Sequence, residues 1–139
     1  MNLLIPVDGS DNSNHAVIYA TKIAAGVKTE IHLLNVQPEV ISGHVKMFVS
    51  QEQINDWHHD EGILALQSAR DILDAKKIPY EFHIGVGSAA ETITAYAKQI
   101  GCDQIVMGTR GAGAISNLVI GSVATKVIHL TDVPITLVK

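Results

Sequence analysis

With 139 residues, 47% of them hydrophobic and 17% charged, the chain can bury one core without disulfides or metals, which excludes a mainly disordered protein. A net charge of −4, with ten Lys and Arg residues scattered rather than grouped, offers no basic footprint for a nucleic-acid backbone, so nucleic acid is not an expected partner. The first residues run into an apolar segment without a basic leader, no apolar run is long enough to span a membrane, and Cys102 is the only cysteine; a single domain over residues 1–139, cytoplasmic and outside the membrane, is expected.

Residues 2–7 are a short apolar run bounded by Asp8-Gly9-Ser10, the pattern of a strand buried on both faces that turns sharply into a helix. Ser10 or Asp11 can cap that helix, whose apolar stripe passes through Ala16, Ala20, Ile23, Ala24 and Val27 and stops near Gly26. Residues 30–36 are again strand-like and Pro38 ends them. Residues 37–50 contain Pro38 and Gly43 and little periodicity, so a long irregular loop or lid is expected there.

Ala65, Ala69, Ile72 and Leu73 mark one face of a helix from near Gln51 to about Lys77, where Pro79 forbids continuation. Residues 80–84 read as a third strand. Ser88 and Glu91 have the spacing of a capping box that opens a helix with Ile93, Tyr96, Ala97 and Ile100 inward, closed by Gly101. Residues 104–107 are a fourth strand. A glycine-rich stretch over residues 108–121 then leads into a helix with Val123, Ala124, Val127 and Ile128 inward, and residues 133–138 form the last strand.

Strands alternating with amphipathic helices predict a five-stranded, parallel, doubly wound α/β sheet with helices on both faces. Such sheets bind ligands beyond the carboxyl ends of their strands, which directs attention to Asp8, Val36, Gly85 and Gly108. After the fourth strand the sequence reads Gly108-Thr109-Arg110-Gly111, then nine residues, then Gly121-Ser122-Val123 at a helix start. A helix N-terminus offers unpaired N–H groups and a partial positive charge, and glycines let backbone approach phosphate oxygens, so the physical reading is phosphate binding. The plainer alternative is that these glycines make turns and Ser122 caps a helix.

The spacing Gly-x2-Gly-x9-Gly-Ser resembles the signature of the ATP-binding branch of the universal stress protein family. The resemblance spans the chain, from Ile5-Pro6-Val7-Asp8-Gly9-Ser10 through Leu34-Asn35-Val36 and Gly85-Val86-Gly87 to Val133-Pro134-Ile135-Thr136-Leu137-Val138. It implies a Rossmann-like fold of the adenine nucleotide alpha hydrolase type and ATP as ligand. By the same resemblance, Pro6, Val7 and Asp8 line the nucleoside, with Asp8 as ribose partner, and the Val36 backbone faces the adenine edge. Gly108, Thr109, Arg110 and Gly111 run beside the ribose and triphosphate, Arg110 neutralises phosphate charge, and Gly121, Ser122 and Val123 donate to phosphate. It also implies a divalent cation, Mg or Mn, held by the phosphates, with no ligand set of protein side chains, and a homodimer through the edge strand 133–138. Asp8 beside Gly9 and Ser10 is equally an ordinary turn residue.

Three other signals point elsewhere. Gly85-Val86-Gly87-Ser88-Ala89-Ala90 matches the dinucleotide fingerprint, but the acidic residue required at the end of the next strand is missing and Asp103 stands at that strand's start. His58, His59, Asp60 and Glu61 splay around a helix and read as a solvated face rather than a metal site. Cys102 reads as a small buried hydrophobe. No P-loop lysine is present, and no catalytic residue is assigned. The expected activity is therefore nucleotide-dependent signalling with slow or no hydrolysis; the alternatives are a weak ATPase or phosphotransferase that uses Asp8 or His44, and a structural dimer without nucleotide.

Overall fold

The computed structural model describes residues 1–40, 42–111 and 120–139. In chain order it contains β1 (Asn2–Pro6), α1 (Asp11–Ala24), β2 (Glu30–Gln37), α2 (Gly43–Phe48), α3 (Gln51–Ala75), β3 (Glu81–Val86), α4 (Ala89–Gln99), β4 (Gln104–Gly108), α5 (Ser122–Leu130) and β5 (Ile135–Val138). The five strands form one sheet in the order β3-β2-β1-β4-β5, every pair parallel. This is the doubly wound sheet expected from the alternation of strands and helices.

Alternation along each strand divides the core. Leu3, Ile5 and Val7 of the first strand and its end face one side with Ile31 and Leu33, where α1 and α3 cover them through Ala16, Val17, Ala20, Leu66, Ala69 and Leu73. Leu4, Leu34, Ile105 and Met107 face the other side, covered by Ala90, Ile93 and Ala97 of α4 and Ala124 and Val127 of α5. Strands buried on both faces need continuous apolar runs, which explains why residues 2–7 carry almost no polar side chain. The chain leaving β1 enters α1 on one face, and the chain leaving β4 leads to α5 on the other. A crevice therefore opens between the carboxyl ends of these adjacent strands, where the connections diverge to opposite faces.

The helix ends follow local chemistry. Ser10 caps α1, its side chain accepting from the Ser13 amide at 3.2 Å, while Gly26 takes a left-handed φ of 80° just after the helix. Ser50 and Gln53 form a reciprocal capping box at the start of α3. Gly101, at φ 62°, closes α4 as the Cys102 amide reaches back to the Ala97 carbonyl.

Several expectations are corrected. Residues 37–50 are not irregular throughout, because α2 occupies Gly43–Phe48; it has no buried residue and so no apolar stripe to betray it. Ser88 stands at the N-cap of α4 but makes no side-chain cap bond; Glu91 pairs instead with Lys126 of α5 at 2.5 Å. Val27, Val123 and Ile128, expected inward, are exposed, since α1 ends at Ala24 and the buried face of α5 is carried by Ala124 and Val127. His58 is buried rather than solvated, and its Nε2 lies 2.9 Å from the Pro38 carbonyl, tying α3 to the chain leaving β2. Cys102 is buried as expected; burial pushes its thiol pKa up, and the thiol donates to the Gln104 carbonyl at 3.0 Å.

Candidate nucleotide site

A cavity of about 560 Å³ occupies the crevice at the carboxyl rim, within the usual range of small-molecule sites. Pro6, Val7 and Asp8 enter it from the end of β1, and Val36 from β2. Gly108, Thr109, Arg110 and Gly111 line it after β4, and Gly121, Ser122 and Val123 line it at the start of α5. The eleven residues singled out from the sequence thus meet around one space. Leu34, Ala89, Ile93, Met107 and Ala124 add an apolar wall, and Ser13 and Asn35 add polar groups. They were not anticipated, although the inward positions of α4 held the signal for Ile93.

The two glycine turns touch directly. The Gly121 amide donates to the Thr109 carbonyl at 2.6 Å, and a side chain on Gly121 would come within 3.3 Å of the Arg110 Cα and of that carbonyl. Glycine at 121 leaves room for this close backbone approach, which a larger residue would crowd. The contact also revises the expected donor set: the amides of Gly121, Thr109 and Arg110 are engaged, by the Thr109 carbonyl, the Val138 carbonyl at 2.9 Å and Asn12 Oδ1 at 2.7 Å respectively. The amides of Ser122 and Val123 open α5 and line the cavity, the helix position whose N–H groups lack an intrahelical partner. Gly121, not Ser122, is the N-cap, so the plainer reading of Ser122 as a capping side chain is not met.

At the opposite wall, Asp8 Oδ1 accepts from the Ser10 amide at 3.0 Å and from the Ser10 hydroxyl at 2.5 Å, which fixes the carboxylate above the turn into α1. Its Oδ2 lies where it would meet a Cβ on Gly111 at 2.8 Å, so the carboxylate and the first glycine turn are in close contact. Asn35, buried, donates to the Val7 carbonyl at 2.8 Å and accepts from Gln37 at 2.7 Å, locking the ends of β1 and β2 together. None of the ion pairs among the described residues includes Arg110. His44 lies exposed on α2, edge-on to Phe48, and is not part of the cavity lining. Gly85, in the edge strand β3, and Gly87, just after it, do not line it either. Among the described residues no three His, Cys, Asp or Glu side chains converge to hold a metal.

A model of the universal stress protein family matches residues 1–139. The chain belongs to the universal stress protein family. Universal stress protein YxiE of Bacillus subtilis is 28% identical over 144 residues, covering 99% of this chain and 97% of that protein. Universal stress protein MJ0531 of Methanocaldococcus jannaschii is 31% identical over 140 residues, covering 99% and 81%. The solved structure of the hypothetical protein MJ0577 superposes with a TM-score of 0.85 at 25% identity, covering 99% of this chain and 94% of that one. Universal stress protein structures more distant in sequence share the fold and hold nucleotides. One in complex with cAMP has a TM-score of 0.76 at 23% identity, with 100% and 97% coverage. Another, from Arabidopsis thaliana with AMP bound, has a TM-score of 0.69 at 18% identity, with 100% and 91% coverage.

Proposed function

We propose that this universal stress protein binds ATP in the crevice and serves as a nucleotide-dependent stress-response or signalling module, its loaded state read by a partner or by a dimer, with slow or no hydrolysis. The observation that carries the reading is the hydrogen bond from the Gly121 amide to the Thr109 carbonyl, which brings both glycine turns onto the wall of one cavity. The nucleotides held by family members of the same fold support an adenine nucleotide as the ligand class.

In this reading the adenine lies against the apolar wall with its edge toward the Val36 backbone, beside Pro6 and Val7. The ribose hydroxyls donate to the Asp8 carboxylate. The phosphates run past Gly108, Thr109 and Gly111 to the N-terminus of α5, where the Ser122 and Val123 amides and the Ser122 hydroxyl donate and Arg110 supplies charge. Gly121 acts by shape rather than as a donor. A divalent cation, Mg or Mn, would take its ligands from the phosphates and water. The proposed setting is the cytoplasm, with a homodimer paired through residues 133–138.

Hydrolysis requires a base that orients water against the γ-phosphate. With His44 outside the cavity lining and Asp8 bonded to Ser10, no side chain is assigned that task. Freshly purified protein, denatured and assayed by mass, should release adenine nucleotide, and stripped protein should rebind ATP in calorimetry with little phosphate release. Absence of both bound and rebound nucleotide at micromolar protein would reject the proposal.

A further inference from the structure

Asn12 belongs neither to the glycine motif nor to the cavity lining, yet three segments meet on its side chain. It lies in the first turn of α1. Its Oδ1 accepts from the Arg110 amide at 2.7 Å, and its Nδ2 donates to the Val138 carbonyl at 3.1 Å. The partners fix the orientation of the side-chain amide: an N–H on one side requires the oxygen there, and a carbonyl on the other requires the nitrogen. The Val138 carbonyl accepts a second bond, from the Thr109 amide at 2.9 Å. Gly108 completes the packing, because a Cβ there would lie 2.5 Å from Asn12 Oδ1 and 3.0 Å from the Asn12 carbonyl.

From this point the connection continues into the second glycine turn through the Thr109 carbonyl and the Gly121 amide. The terminal edge strand, the first turn and the start of α5 are therefore joined by consecutive hydrogen bonds, with one side chain as the junction. A part-buried amide whose partner is deleted loses its bond and regains water only by opening toward the cavity, which loosens the turn.

We infer that Asn12 is a positioning residue that holds the Thr109–Gly111 turn in its ligand-ready shape and couples the terminal strand β5 to the phosphate end of the cavity. The ligand named here rests on the nucleotide reading above; the coupling does not. Asn12 does not itself line the cavity, so its effect on binding must pass through Gly108, Thr109 and Arg110, which do.

Amide exchange by NMR in the full-length, nucleotide-free protein separates the two bonds. Asn12→Ala removes both and should speed exchange at Arg110, Thr109 and Gly121 by about tenfold. Asn12→Asp keeps an acceptor for Arg110 and removes the donor to Val138; Arg110 should stay within about twofold of wild type while Thr109 and Gly121 exchange faster. The Ile105 amide, bonded to the Pro134 carbonyl at the other end of the same strand pair, should stay unchanged in both variants and so report against general destabilisation. ATP affinity, measured by calorimetry, should fall about tenfold in Asn12→Ala.

Wild-type exchange at Gly121 in both variants would overturn the coupling, as would a loss of protection at Ile105 equal to that at Gly121. If Asn12→Ala does not fold, Asn12→Asp alone decides between these outcomes. A wild-type protein that binds no ATP rejects the nucleotide reading, and the exchange pattern still decides the role of Asn12.

Discussion

Each glycine of the motif answers to a different neighbour. Gly108 leaves room for Asn12, Gly111 for the Asp8 carboxylate, and Gly121 for the backbone of Thr109 and Arg110. The spacing that suggested phosphate approach is thus also a packing requirement among the turns themselves. Gly108→Ala should destabilise the protein by about 1–3 kcal/mol, because the added methyl meets backbone as well as a side chain that is bonded on both sides. Gly43→Ala, where nothing lies within 4 Å of the new atom, should change stability by no more than about 0.5 kcal/mol. Urea unfolding of the two variants compares them directly; equal midpoints would contradict the packing explanation.

At the scale of elements, the pair between Glu91 and Lys126 joins the two helices of one face near the cavity. Its hydrogen bond with Lys126 holds the Glu91 carboxyl below the ordinary value of 4.5, with a bond to its own backbone amide acting the same way. A carboxyl whose pKa is lower in the folded state binds fewer protons there than in the unfolded chain. Its stabilising contribution is present above pH 4.5 and is lost as pH falls through the lowered folded value. Glu91→Gln should therefore be less stable than wild type at pH 6–7, with the difference closing in acid and shrinking in high salt, since both side chains are about half exposed. A difference that is constant with pH would show that the pair contributes through packing alone.

The elements legible in the sequence were those with a long apolar period: the doubly buried runs of β1 and β2, the stripe of α3 and the inward face of α4. What escaped has a physical reason. The α2 helix buries no residue, so nothing periodic announced it. His58 does fall on the buried row of α3 with Ile54, Gly62 and Leu66, and that spacing was a usable signal obscured by the charged neighbours His59, Asp60 and Glu61. Asn12 and Asn35 bond to backbone groups 98, 126 and 28 residues away, distances at which no local pattern exists. The glycine motif was readable because both turns follow predicted boundaries, but which of its amides remain available for an anion depended on contacts between them.

For the whole molecule, the order β3-β2-β1-β4-β5 places the crevice between the two central connections and leaves β5 as an edge. Val133, Ile135 and Leu137 pack inward against the core of α4 and α5, so a second copy would meet the strand through its free backbone edge. The proposed homodimer should sediment at twice the chain mass at about 50 μM, and a proline at Leu137, whose amide faces away from β4 because the Pro134 and Val138 carbonyls bond to it, removes a donor of the free edge and should shift it toward monomer. A wild-type monomer at that concentration would remove the dimer from the proposal. No helix among the described residues is long and apolar enough to cross a membrane. The convergence of two sequence-distant turns on one ligand is tested most directly by titrating isotope-labelled protein with ATP and following the amides of Gly111, Ser122 and Val123. They should shift together with a single dissociation constant, along with Val36 at the far wall. Shifts confined to one turn, or centred instead on Gly85 and Gly87, would contradict a common nucleotide site.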